Sequence, residues 1–144
     1  MSSTRVTKAI IATAGWGTRR MPVAKSVEKC MLPLGNRPTV DYLVQDCVDA
    51  GITDIYFVVS GSAEQLRSYY SRNVELENYL RQKEKLELLE AVTPPQATFH
   101  FIEQDLNDGR YGTTVPVWRA GTNVYNAQNR YRVVGRSGAE PTLP

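Results

Sequence analysis

Three short apolar blocks punctuate the chain. Ala9-Ile10-Ile11-Ala12-Thr13-Ala14 stops at a glycine, Ile55-Tyr56-Phe57-Val58-Val59 stops at Ser60-Gly61, and Thr98-Phe99-His100-Phe101-Ile102 ends just before Glu103. The first two, apolar runs without helical spacing, predict buried strands, and the third, which alternates or is simply β-rich, predicts a third strand. Between the first two the period changes. Val40, Leu43, Val44, Cys47 and Val48 share one helical face, with Pro38 suited to the first turn and Gly51 to the stop. After the second block, Ser62 with Gln65 predicts a capping box opening a short helix through Tyr70. Glu75 to Val92 predicts one charged helix, with Leu76, Tyr79, Leu80, Lys83, Leu86, Leu89 and Val92 along one side and Pro94-Pro95 ending it. Val115 to Ala120 predicts the start of another helix, and Tyr131-Arg132-Val133-Val134 a weak fourth strand.

Alternation of strand and helix implies an α/β fold with a mostly parallel sheet, right-handed crossovers and helices on both faces. Ligands of such sheets sit beyond the carboxyl ends of the strands. Three places are therefore candidates: the loop after Ala14, the turn at Ser60-Gly61, and the segment that starts at Gln104. Residues 1–144 read as one domain, with 121–144 an atypical tail that loses periodicity. Gly135 to Pro144 has only Ala139 and Leu143 as apolar residues besides proline and glycine, as a frayed end or a shortened protein would.

Composition narrows the classes. With 42% apolar and 22% charged residues, the chain is that of a folded, soluble protein rather than a disordered one. A net charge of +2 is too small to indicate nucleic acid or an anionic membrane. No apolar run approaches the roughly 20 residues of a membrane span, and Met1 to Lys8 is not followed by the apolar core of a signal peptide. Cys30 and Cys47 match no zinc spacing and mark no disulfide scaffold. A reduced, cytoplasmic protein is the expectation.

Positive charge matters locally. Ala14-Gly15-Trp16-Gly17-Thr18-Arg19-Arg20-Met21-Pro22 follows the first strand directly, and its glycines let backbone N–H groups approach an anion. It is not a dinucleotide fingerprint, because the third glycine of that pattern falls on Arg20, nor a Walker loop, because no glycine–lysine–serine/threonine follows. Arg19, Arg20, Lys25 and Lys29 fall within eleven residues, a density that suits a triphosphate or pyrophosphate. A solvated basic loop without a ligand has the same composition, so the residues alone leave both readings open.

Gly15-x-Gly17-Thr18-Arg19 followed by Lys29-Cys30-Met31-Leu32-Pro33 resembles the signature of the sugar-1-phosphate nucleotidyltransferases. Pro22-Val23-Ala24-Lys25, Arg37-Pro38, Asp49 to Ile55 and the acidic helix around Leu76 extend the likeness toward the bacterial UTP–glucose-1-phosphate uridylyltransferases, from about Lys8 to Ala120. The resemblance implies a Rossmann-like fold of the nucleotide-diphospho-sugar transferase type, here its truncated nucleotide-binding half. It implies UTP and glucose-1-phosphate as partners, Mg²⁺ as cofactor, and homo-oligomers. Residue by residue, it places Ala14 and Gly15 against the uridine and Gly17, Thr18 and Arg19 against the phosphates. Lys29 then neutralises the α-phosphate or leaving pyrophosphate, and Lys25 is a second phosphate cation. Gln104 reads the uracil edge and Gly112 admits the base. Arg19 and Lys29 are the implied catalytic pair.

Three departures qualify this. Glu28-Lys29-Cys30 stands where the family has proline–lysine–glutamate, and Arg110-Tyr111-Gly112-Thr113-Thr114 replaces its usual glycine–leucine–glycine–histidine–alanine stretch. The family's next strand ends in an aspartate pair that holds Mg²⁺, whereas Tyr131 to Val134 is followed by Gly135-Arg136-Ser137-Gly138. No metal ligand is therefore assigned, and little or no transferase activity is expected of the chain alone. An inactive nucleotide-binding fragment and a thymidylyl- or cytidylyltransferase are the alternative readings. His100, the single histidine, reads as structural, and Trp118 as core.

Overall fold

The computed structural model describes residues 5–103, together with the backbone of two later strands at 123–126 and 131–134. Seven strands and four helices are present among them. β1 (Lys8–Ala12), α1 (Thr39–Asp49), β4 (Asp54–Val59), α2 (Glu64–Tyr69), α3 (Val74–Gln82), α4 (Leu86–Val92) and β5 (Thr98–Glu103) form the strand–helix alternation. A two-stranded hairpin, β2 (Pro33–Leu34) with β3 (Arg37–Pro38), precedes α1, and β6 (Asn123–Asn126) and β7 (Tyr131–Val134) complete the sheet.

The main sheet has the order β5-β4-β1-β6-β7. β1 pairs in parallel with both β4 and β6, and β4 with β5, so only β7 runs antiparallel. The expected α/β architecture with a mostly parallel sheet is therefore present. The strand beside β1 on its open side is Asn123–Asn126, which no apolar run announces; Tyr131–Val134 pairs antiparallel to it. The chain steps from β1 outward through β4 and β5, then returns to the other side of β1. That reversal makes the carboxyl end of β1 a topological switch point, the usual crevice for a ligand in open α/β sheets.

Both faces of β1 and β4 are apolar, as continuous hydrophobic runs require, while β5 at the sheet edge is only partly buried. Ala9 and Ile11, then Ile55, Phe57 and Val59, point to one side and meet Val40, Val44 and Cys47 of α1 and Leu66 of α2. Ile10 and Val58 point to the other side with Tyr56 and Ile102, and no described helix joins that cluster. At the amino end of the strands, His100 stacks on Tyr56 with ring centroids 4.4 Å apart, and its Nε2 lies 3.0 Å from Asp54 Oδ1. This histidine packs within the sheet.

Helix boundaries follow local chemistry. Pro38 takes the N-cap position of α1 rather than its first turn. Gly51, at φ 85°, closes the helix: its N–H donates to the Val48 carbonyl and Ile52 N–H to that of Cys47, the Schellman pair of bonds. The single helix expected over Glu75–Val92 is two helices. Glu84 adopts φ 54°, and its N–H and that of Lys85 donate to the carbonyls of Arg81 and Leu80, repeating the Schellman closure without a glycine. Asn73 caps α3 by accepting from Leu76 N–H at 3.0 Å. The Ser62–Gln65 capping box does not form: the N-cap is Ala63 at φ 47°, and no side chain of its own turn caps α2.

Glu77 is the one buried charged residue among the described residues, only 2% exposed. Its carboxylate accepts from Arg72 Nη2 at 2.6 Å, with Arg81 Nη2 3.8 Å away. The hydrogen bond from Arg72 holds the Glu77 carboxyl below its ordinary value of 4.5. A depressed carboxyl stabilises the fold fully above the unfolded-state value and loses that contribution as pH falls through the lower native value. The urea midpoint is therefore expected to hold from about pH 7 down to about pH 5 and to drop at lower pH. Glu77→Gln is expected to be less stable near neutrality and to show a shallower acid drop, read by circular dichroism across that range.

Candidate functional site

The site is built at the carboxyl edge of the sheet. The parallel registers Ala12↔Val58 and Val59↔Glu103 bring the ends of β1, β4 and β5 to one edge. Leaving β1, the chain is tied down at once: the Val58 carbonyl accepts from Thr13 N–H, Ala14 N–H and the Thr13 hydroxyl at 2.8–2.9 Å. Gly15 then adopts φ 139° and Gly17 φ 62°. Trp16 between them is 84% exposed.

Beyond Gly17 the chain makes three tight 3₁₀ turns, Thr18–Arg20, Val23–Lys25 and Lys29–Met31. Gly17 is needed where it stands. A Cβ there would lie 3.2 Å from the Cβ atoms of both Ala24 and Lys29, on a left-handed backbone that side chains avoid. Gly17→Ala is expected to lower unfolding free energy by about 1–2 kcal/mol, measured by urea denaturation. The stem of Lys29 thus runs against the glycine turn. A cavity of about 180 Å³ opens beside it, lined by Ile11 to Ala14, Lys29, Cys30, Thr39, Val40 and Leu43. That is smaller than most ligand pockets.

Ion pairing distinguishes the loop cations from several arginines elsewhere in the chain. Arg37 donates to Asp41 at 2.6 Å, Arg72 pairs with Glu77, and Arg67 donates to the Ser62 carbonyl while lying over the Phe101 ring. Arg19, Arg20, Lys25 and Lys29 are exposed, and among the described residues none has an acidic partner. Four unneutralised cations on a glycine loop at the switch point can receive a polyphosphate without first breaking a native ion pair.

Glu28, next to Lys29, is occupied elsewhere. Its carboxylate accepts from Gln65 N–H at 2.6 Å and Leu66 N–H at 3.4 Å, at the start of α2. The side-chain pattern of the sequence could not reveal this contact, since its partners lie 37 and 38 positions away. Cys30 is not poised as a nucleophile: burial, followed by the Glu28 charge, pushes its thiol up to about 11. Burial likewise raises Cys47 to about 11, and both thiols are free.

Of the residues proposed from sequence, Ala14, Gly15, Gly17, Thr18, Arg19, Lys25 and Lys29 are gathered in this loop at one sheet edge. Gln104 and Gly112 lie outside the described residues, as do Trp118 and the segment from Val115 to Ala120. Among the described residues, no three His, Cys, Asp or Glu side chains stand together as metal donors. Nor is any described helix long and apolar enough to cross a membrane.

Comparison with known proteins shows the family and the fold. Residues 8–106 match the Nucleotidyl transferase family. The chain is 37% identical over 110 residues to the UTP–glucose-1-phosphate uridylyltransferase of Escherichia coli K12, covering 74% of this chain and 36% of the relative. It is 41% identical over 102 residues to the enzyme of the same name from Bacillus subtilis 168, covering 69% and 35%. Among solved structures, a UTP-bound UGPase from Acinetobacter baumannii superposes with a TM-score of 0.74 at 29% identity, over 85% of this chain and 45% of that one. The chain spans just over a third of the length of these curated relatives. By its matched residues and its fold, the chain belongs to the nucleotidyl transferase family.

Proposed function

We propose that this chain carries the nucleotide-binding part of a UTP–glucose-1-phosphate uridylyltransferase, in which residues 1–144 form one domain. The observation that carries the reading is the set of four cations, Arg19, Arg20, Lys25 and Lys29, unpaired among the described residues on the glycine loop at the switch point. In this reading Ala14 and Gly15 contact the uridine, Gly17, Thr18 and Arg19 the phosphates, and Lys25 adds charge. Lys29 meets the α-phosphate and the leaving pyrophosphate. Gln104 hydrogen-bonds the uracil and Gly112 lets the base approach.

The reaction is attack by a glucose-1-phosphate oxygen on the α-phosphorus of UTP, with pyrophosphate leaving. No protein nucleophile is required. Alignment and cations that meet the developing charge supply the rate, and the relatives named for this activity support the substrate pair. A second reading, nucleotide binding without turnover, follows from the sequence, where Gly135-Arg136-Ser137-Gly138 stands in place of the aspartate pair that the family resemblance leads one to expect after Tyr131–Val134. Calorimetric titration with UTP beside ATP, CTP and dTTP tests the nucleotide class. Preferential binding of UTP is expected; equal affinity for ATP, or no binding at all, overturns the uridine reading. Formation of UDP-glucose and pyrophosphate then separates turnover from binding alone.

A further inference from the structure

We propose that Glu28 and Gln65 form a clamp that positions Lys29 for the phosphates, an inference that rests on the nucleotide reading above. The clamp is reciprocal. The Glu28 carboxylate accepts from the backbone of Gln65 and Leu66, while Gln65 Oε1 accepts from Glu28 N–H at 2.8 Å. Gln65 Nε2 also donates to the Ser26 carbonyl at 3.2 Å. Four hydrogen bonds thus fasten residues 26–28 to the first turn of α2, across 37 to 39 positions of chain.

Lys29 begins the turn that this clamp holds. Met31 N–H donates to the Glu28 carbonyl at 2.8 Å, closing the turn, and Thr39 secures its far side by donating to the carbonyls of Cys30 and Leu32 at 3.0 Å. On the inner side, the lysine stem lies against Gly17. Lys29 is therefore held between the glycine loop of β1 and the helix that follows β4. Ala63 contributes to the arrangement. Buried and at φ 47°, it turns the chain so that the amides of Gln65 and Leu66 face Glu28, a strained backbone of the kind that persists where surrounding structure enforces it.

The clamp also settles a charge problem. An acid adjacent to a phosphate-binding lysine repels the ligand or neutralises the lysine. Here the carboxylate is turned onto two amides of α2, and no ion pair joins it to Lys29. Glu28 is thus a positioning residue. Its effect passes through Lys29, with no contact of its own to the nucleotide.

The test is a set of calorimetric titrations of the full chain with UTP and with inorganic pyrophosphate. The variants are Glu28→Ala, Glu28→Gln, Gln65→Ala, Lys29→Ala and the double variant Glu28→Ala/Lys29→Ala, with melting temperatures recorded for each. Glu28→Ala is expected to weaken pyrophosphate binding about tenfold, and Gln65→Ala to act in the same direction. Glu28→Gln loses the charge but keeps an acceptor oxygen, so it recovers most of the affinity. With Lys29 already removed, Glu28→Ala adds less than about a twofold loss. Equal penalties in both backgrounds, or unchanged affinity in Glu28→Ala and Gln65→Ala, overturn the proposal while the nucleotide reading stands. A wild-type chain that binds neither UTP nor pyrophosphate overturns the nucleotide reading and the role of the clamp with it. If Glu28→Ala fails to fold, Gln65→Ala decides the question, measured alone and in the Lys29→Ala background.

Discussion

Phe57→Ala is expected to lower the unfolding free energy by about 3–5 kcal/mol, a large part of the roughly 5–15 kcal/mol that holds a domain together. Phe57 sits in the middle of β4 with no exposed surface. Its ring stacks on Tyr70, Phe99 and Phe101 at centroid distances of 5.3, 5.9 and 5.4 Å. Tyr70 closes the set, stacking on Phe99 at 4.5 Å and donating its hydroxyl to Asp41 at 2.7 Å. Truncation removes the buried ring and leaves a cavity between the sheet and α2, because the neighbouring rings are fixed from other sides. Phe57→Leu keeps most of the volume and is expected to cost less. Urea denaturation followed by circular dichroism measures both, and a Phe57→Ala penalty below about 1 kcal/mol would show that the cluster does not organise the core.

The same cluster explains why the central sheet was legible in the chain. β1 and β4 are buried on two sides, so each appears as an unbroken apolar run, the edge strand β5 shows instead through its β-favouring residues, and α1 appears with its helical face and its Gly51 stop. What escaped were features whose cause lies elsewhere in the chain or in unmarked backbone. Glu84 enters the left-handed region without being glycine or asparagine, so nothing in Glu75–Val92 announced the break between α3 and α4. β6 has only Val124 and Tyr125 between two asparagines, too little apolar surface to suggest a strand. The capping of α2 comes from Glu28, a partner that local pattern cannot supply. The glycine loop with its four cations was readable because its residues are contiguous between Ala14 and Lys29. The base-reading side of the proposed site depends on Gln104 and Gly112, outside the described residues.

Arg19→Ala/Lys29→Ala is expected to weaken UTP binding by about a hundredfold or more while leaving the fold intact. The two effects separate because of where these charges stand. Both side chains are exposed, and neither has an acidic partner among the described residues. Their removal therefore strands no buried carboxylate, and a stability change within about 0.5 kcal/mol is expected for exposed substitutions of this kind. Binding is different. A hydrogen bond between charged groups contributes about 1.5–3 kcal/mol, and two such contacts to phosphate together account for a loss of at least about 10²-fold. Because the attraction is electrostatic, wild-type affinity should fall with added salt, and the double variant should respond less. Lys85→Ala is the matched control: it also deletes an exposed cation without an acidic partner among the described residues, but one in the turn between α3 and α4, so UTP affinity should hold. Calorimetric titration at two salt concentrations reads all three chains. Equal UTP affinity in wild type and the double variant would reduce the loop to a solvated basic surface. A loss confined to the double variant would make these cations the groups that meet the triphosphate.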